Sequence, residues 1–215
     1  MPLSALKIIR SLRDFAVEDA KSARAFLSAA GCKPRELQLS ELSEHTPAAD
    51  IPALLQPLRD GRALGLLSDA GCPAIADPGA ALVEAAQREG FRVLPLVGPS
   101  SIVLALMASG LEGQRFAFCG YLPRDATERA GRIKQLEQRS RRERETEIFI
   151  ETPYRNDALL SALLENCAPG TRLCVAADLT LGCESVKTRT IADWRRARTD
   201  LGKRPAVFLL LAEHR

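Results

Sequence analysis

Apolar positions recur at helical spacing over Leu3 to Leu12 and again over Glu18 to Ala30, where Gly31 and the nearby Pro34 close the second run. Ile51 to Arg59 also reads as helix, with Asp50 as a candidate N-cap and Pro52 in the first turn. Ala63 to Leu67 is a short apolar run and predicts a buried strand. Helix Gly79 to Glu89, strand Arg92 to Leu96 and helix Ser100 to Ala108 follow, the helices ended by Gly90 and Gly110. After Glu112 and Gly113 the alternation resumes. A strand at Phe116 to Gly120, a basic helix, strand Glu147 to Glu151, helix Asn156 to Asn166, strand Arg172 to Ala177 and a final strand Ala206 to Ala212 are expected. Alternating strands and helices predict an α/β protein of two small domains, 1–113 and 114–215, with mixed, mostly parallel sheets. No internal repeat links the two halves.

Composition narrows the class. The 215 residues are 46% hydrophobic and 27% charged, which excludes a disordered or fibrous chain. The longest apolar runs, such as Val207 to Ala212, are too short to span a bilayer, and no basic, apolar and small-residue leader opens the chain, so a cytoplasmic address is expected. Six cysteines without a C-x-x-C pair and only two histidines, His45 and His214, indicate neither a zinc site nor a disulfide framework; reduced, mostly buried thiols and surface or capping histidines are expected. The net charge of +3 is uneven, with only the second half basic. Arg124 to Arg144 holds eight Lys/Arg on one predicted helix, either a solvated face laced with ion pairs or a contact for nucleic acid.

Ligands of open α/β sheets bind beyond the carboxyl ends of strands, and four such segments carry chemistry. Ser68-Asp69-Ala70-Gly71-Cys72-Pro73-Ala74-Ile75-Ala76-Asp77-Pro78-Gly79 joins a strand to a helix. Its glycines permit close backbone approach, its prolines stiffen the turn, and Asp69 and Asp77 can accept protons or hydrogen bonds. The alternative is a plain connection with Asp77 as N-cap ahead of Pro78. Val97-Gly98-Pro99-Ser100-Ser101 puts two hydroxyls at a helix start, for capping or for an anion. Glu151-Thr152-Pro153-Tyr154-Arg155 and Ala177-Asp178-Leu179-Thr180 complete the set. Phosphate-loop, dinucleotide-loop and nucleophile-elbow patterns are missing, which weighs against nucleotide hydrolysis, nicotinamide chemistry and serine hydrolysis.

Taken in order, S-D-A-G-C-P-A-I-A-D-P-G at 68–79, G-P-S-S at 98–101 and G-Y-L-P at 120–123 resemble the ribosomal RNA small subunit methyltransferase I family of the tetrapyrrole methylase superfamily. The resemblance spans nearly the whole chain. It implies an S-adenosylmethionine-dependent methyltransferase, commonly homodimeric, with the cofactor cleft between two α/β domains and ribose 2′-hydroxyls of small-subunit rRNA as acceptors. It assigns the methionine part of the cofactor to Gly71, Cys72, Pro73 and Ile75 with Ser100 and Ser101 nearby, and the adenosine part to Leu179, Pro205 and Ala206. Asp69 and Asp77 would face the cleft, with Asp77 the first candidate base and Glu151 the second. Arg24, Arg155 and the basic helix would meet RNA phosphates, and no metal is implied. The sequence departs from the family at its start, where a strand and glycine-containing loop are expected to be lacking and a sheet edge left unpaired. It departs also at Ala177-Asp178-Leu179-Thr180-Leu181, against Arg-Glu-Leu-Thr-Lys, and at Lys203-Arg204-Pro205, against Lys-Gly-Glu. These changes bear on the acceptor, so a related methyltransferase acting on a small molecule and a homologue that only binds are the alternatives.

Overall fold

The computed structural model describes residues 1–197 and 199–213. His214 lies outside them. The chain divides into two compact units, Met1–Ser100 and Ser101–Arg215.

In the first unit, β1 (Asp14–Val17) is the centre of a three-stranded parallel sheet, flanked by β2 (Gln38–Glu41) and β3 (Leu64–Leu67). Strand β1 is fully buried, and its alternation sorts the core into two layers. Phe15 and Val17 pack with Ile9 of α1 (Leu3–Ser11) and with Ala23 and Leu27 of α2 (Ala20–Ala29). Ala16 faces the other way, into Leu42, Ile51, Leu55 and residues Leu82 and Ala86 of α4 (Ala80–Arg88). Helix α2 is started by Asp19, whose side chain accepts from Ser22 N–H at 2.7 Å. The predicted helix 51–59 forms as a 3-10 turn, Ile51–Leu55, running into a single α turn, α3 (Gln56–Arg59), and Asp50 makes no side-chain cap there.

Two sequence expectations change here. Leu64–Leu67 is half-buried throughout, because β3 carries a ladder only on its β1 side. Arg92 to Leu96 forms no strand at all. Its apolar pattern is that of a strand, but no neighbour among the described residues takes its backbone groups, and Val93, Leu94 and Leu96 remain exposed.

Gly65 on β3 leaves no room for a side chain, since an added Cβ would lie 2.5 Å from the buried Phe15 ring and 3.0 Å from Leu12 Cδ1. Overpacking a core contact of this kind costs about 1–3 kcal/mol. Gly65→Ala is therefore expected to lower the unfolding midpoint followed by far-UV circular dichroism, and an unchanged midpoint would contradict this packing.

The second unit is a five-stranded mixed sheet in the order β4-β5-β8-β6-β7: β4 (Phe116–Tyr121), β5 (Thr146–Ile150), β6 (Arg172–Ala177), β7 (Ser185–Thr190) and β8 (Ala206–Leu211). Only β4 and β5 run parallel; the remaining pairs are antiparallel. One face is covered by α6 (Ala126–Glu143), α7 (Asn156–Asn166) and α8 (Ile191–Arg196) over Phe149, Phe208, Leu173 and Val175. The rings of Phe149 and Phe208 stack at 6.0 Å between centroids. The other face is covered by α5 (Ser101–Ser109), whose Ile102 and Ala105 pack on Ile148, Cys174, Ala176, Val207 and Leu209. That packing places α5, and with it residues 101–113, in the second unit.

A polar cluster is built into this core. Glu147 on β5 is fully buried and receives Arg139 of α6 through Nε at 2.7 Å and again through Nη2. Cys119 donates to the same carboxylate at 3.1 Å, and burial together with the Glu147 charge pushes its thiol up to about 11. All six cysteines are free, but only Cys167 and Cys174 are buried; Cys32, Cys72 and Cys119 are half-exposed and Cys183 is exposed, which corrects the expectation of mostly buried thiols. No helix among the described residues is long and apolar enough to cross a membrane. His45 is on the surface, 3.5 Å from Glu44.

Candidate functional site

Parallel pairing puts Val17 of β1 level with Leu67 of β3, so both strands end together. Glu18 and Ser68 are the next residues out, and Glu18 Oε2 accepts from Asp69 N–H at 3.2 Å. The 68–79 loop starts from this point. It forms no ordinary connection: Gly71, Ala74, Ala76 and Gly79 all have positive φ, at 82°, 66°, 62° and 131°. For the two alanines this is a sparsely populated, strained backbone, held by Ile75 N–H to Cys72 C=O at 3.2 Å and Ala74 N–H to Pro78 C=O at 3.3 Å. A Cβ built on Gly71 meets nothing within 4 Å, so this stretch borders open space, and the Gly71 and Cys72 N–H groups serve no hydrogen bond among the described residues. Cys72 Sγ reaches Pro99 C=O at 3.4 Å, which brings the 68–79 loop against the segment leading to Ser100.

Asp77 is half-buried in this loop. Burial raises its carboxyl above the usual range, and the negative charges of Glu18 and Asp69 push in the same direction, against a hydrogen bond from Ser68 that lowers it. It does not cap a helix: Gly79 is the N-cap residue of α4. The loop thus gathers three carboxylates around a raised proton affinity at Asp77. Ser68 belongs to the loop itself, but Glu18 did not stand out in the sequence, because only the β1–β3 pairing, across 50 residues, brings it there. Arg24 is exposed on α2, its Nη1 3.4 Å from Ala20 C=O. Ser101 is exposed at the start of α5.

In the second unit the carboxyl ends of β4, β5 and β6 meet at one edge of the sheet, where β8 begins: Tyr121 pairs with Ile150, Ile150 with Val207 and Ala177 with Ala206. This collects Tyr121–Pro123, Glu151–Arg155, Asp178–Thr180 and Lys203–Pro205. Glu151 is buried, and its Oε1 accepts from its neighbour Thr152 N–H at 2.6 Å and from Arg155 Nε and Nη2 at 3.0 and 2.5 Å. Arg155 is correspondingly committed to Glu151.

Asp178 and Thr180 hold positive φ of 52° and 72°, and the turn is pinned on both sides. Asp178 N–H donates to Pro205 C=O at 3.0 Å, and Arg204 Nε donates to the Asp178 carboxylate at 2.5 Å, which holds that carboxyl below its usual range. Arg204 C=O in turn accepts from the buried Asn156 Nδ2 at 2.6 Å. The sequence departures at 178 and 203–205 are therefore partners in one ion pair. Leu179 is half-buried against the α5 face, Pro205 is exposed and Ala206 is buried. Arg204 was marked in the sequence only as a departure from the family pattern, and Asn156 only as the first residue of a predicted helix. Among the described residues no His, Cys, Asp and Glu side chains group as a metal site.

Comparison with known proteins bears on the family and the fold. The family model for Tetrapyrrole (Corrin/Porphyrin) Methylases matches residues 1–194. A ribosomal RNA small subunit methyltransferase I of Xylella fastidiosa is 34% identical over 207 residues, covering 96% of this chain and 73% of that protein. The same-named protein of Mesorhizobium japonicum is 33% identical over 189 residues, covering 88% of this chain and 62% of its own length. The chain thus spans roughly two thirds of the length of the curated relatives it matches. In fold, the crystal structure of the methyltransferase CobJ is similar with a TM-score of 0.63 at 18% identity, over 98% of this chain and 86% of that one. The chain belongs to the ribosomal RNA small subunit methyltransferase I family of the tetrapyrrole methylases.

Proposed function

We propose that this protein is an S-adenosylmethionine-dependent methyltransferase that acts on a ribose 2′-hydroxyl of small-subunit ribosomal RNA. The observation that carries the reading is the strained 68–79 loop, with its unengaged Gly71 and Cys72 N–H groups beside a carboxyl of raised proton affinity, in a chain of this family. The residues suit the cofactor. Gly71, Cys72, Pro73 and Ile75 offer backbone groups to the methionine carboxylate and amine, with Asp69 as a partner for the ammonium and Ser100 and Ser101 supplying hydroxyls. Leu179, Pro205 and Ala206 offer an apolar surface and backbone groups to the adenosine. When bound, the cofactor supplies an electrophilic methyl on a sulfonium centre.

The chain's own task is to align the acceptor oxygen with that methyl and to take its proton. Asp77 is the better placed base of the two candidates. Its raised proton affinity brings it nearer to working pH, whereas Glu151 is engaged by Arg155 and by Thr152 N–H and acts by holding them in place. Arg24 and the exposed arginines of α6 supply positive charge for RNA phosphates. A cytoplasmic, homodimeric enzyme is the corresponding cellular form.

The test is transfer of labelled methyl from S-adenosylmethionine to small ribosomal subunits that lack the modification, with titration of the cofactor by calorimetry. Saturable cofactor binding and label on a ribose 2′-oxygen are expected. Absence of both, or transfer only to a small molecule, would overturn the assignment.

A further inference from the structure

The chain contains two tyrosines, and both are on the surface at the same edge of the second sheet. Tyr121 ends β4 and is 55% exposed; it stands level with Ile150 on the neighbouring parallel strand. Tyr154 follows Ile150 by four residues, in the 3-10 turn Pro153–Arg155, and is 79% exposed. The ammonium of Lys203 sits 5.0 Å from the Tyr154 ring centroid. This is a cation–π contact at a surface site, which orients the ring without burying it.

The surrounding charge is positive. Glu151 is consumed by Arg155 and Asp178 by Arg204, so these two carboxylates are neutralised locally, while the exposed Glu184 is turned onto Thr180 N–H at 2.7 Å. Arg124 and Lys203 are exposed and have no carboxylate partner among the described residues. The exposed Asp125 is the opposing charge next to Arg124, and it is engaged in capping α6 through Thr127 and Glu128 N–H groups at 2.9 Å. Exposed aromatic rings beside unpaired cations match single-stranded nucleic acid, whose bases stack on the rings while the phosphates meet the cations. A purely electrostatic surface would not need the rings.

The geometry points to Tyr154, with Tyr121 beside it, as a stacking platform for unpaired bases of the RNA acceptor, with Lys203 and Arg124 as its phosphate contacts. This deepens the rRNA reading above and rests on it. The platform sets which RNA is held and where, and takes no part in moving the methyl group.

The experiment is fluorescence anisotropy of a short, labelled single-stranded RNA with the 215-residue chain, for wild type, Tyr154→Ala, Tyr154→Phe, Tyr121→Ala and Lys203→Ala. Tyr154→Ala is expected to weaken binding by about 5- to 150-fold, the range for loss of one base–aromatic stack, and Tyr121→Ala to weaken it in the same direction. Tyr154→Phe, which keeps the ring, is expected to bind like wild type. The slope of log affinity against log salt is expected to hold in the tyrosine variants and to shrink in Lys203→Ala, which removes a phosphate contact. In subunit methylation Tyr154→Ala is expected to raise KM with little change in kcat. Calorimetric S-adenosylmethionine binding by the variants checks that they are folded. Wild-type affinity in Tyr154→Ala, or an equal loss in Tyr154→Phe, would overturn the platform while subunit methylation by wild type leaves the enzymatic assignment standing. Wild type that neither binds RNA nor methylates subunits would overturn both.

Discussion

Replacing Asp77 by Asn is expected to lower methyl transfer to small ribosomal subunits by about 10²- to 10⁴-fold, the usual contribution of a positioned general base. Asn keeps the shape and a polar tip but cannot take a proton. The wild-type rate is expected to fall in acid as Asp77 protonates, through a pH above the ordinary carboxylate range, because burial and the Glu18 and Asp69 charges raise its proton affinity. The residual rate of the variant is expected to lack that limb. Stability moves the opposite way. With the folded-state value raised, the stabilisation from the protonated form is fully present below the unfolded-state value and is lost as pH rises through the folded-state one. At neutral pH Asp77 therefore opposes folding, and Asp77→Asn is expected to raise the Tm slightly there and not at pH 3. Turnover equal to wild type, with intact folding, would remove Asp77 from the base role.

The largest stability effect is expected at Arg139. Its guanidinium is the counter-charge of Glu147, whose side chain has no exposure, while Arg139 itself is 34% exposed. Arg139→Met strands a buried carboxylate, and breaking such a pair costs about 3–5 kcal/mol, here toward the lower figure because one partner is partly solvated. The urea midpoint is expected to fall accordingly. The double variant Arg139→Met/Glu147→Leu removes both charges and is expected to recover most or all of the loss. A double variant as unstable as the single one would show that shape, and not the stranded charge, sets the cost.

How much of this was readable from the sequence varied with the range of the interactions involved. Helix α7 was placed at its observed ends, Asn156–Asn166, because its apolar spacing is regular and Cys167 and Pro169 stop it. Strands β1 and β2 were missed: each is four residues long, and Asp14 and Glu41 put charge inside them. Strand β7, Ser185–Thr190, alternates but is mostly polar, as an edge strand with one wet face should be. Arg92 to Leu96 failed for the converse reason, since a strand is a property of a pair and its apolar pattern has no partner among the described residues. The 68–79 loop was evident from its glycines, prolines and aspartates. What surrounds Asp77 was not fully, because Glu18 arrives through parallel pairing, and Arg204 reaches Asp178 from 26 residues away.

The single tryptophan gives the molecule an asymmetric optical signature. Trp194 is 1% exposed in the core of the second unit, its Nε1 donates to Leu173 C=O at 2.8 Å, and the Arg189 guanidinium lies 5.2 Å from its ring centroid. Its emission therefore reports melting of the second unit, whereas far-UV amide dichroism sums the helices of both units. Superimposed fluorescence and dichroism transitions would mean that the two halves unfold as one cooperative body, and separated transitions would give the stability of each half independently.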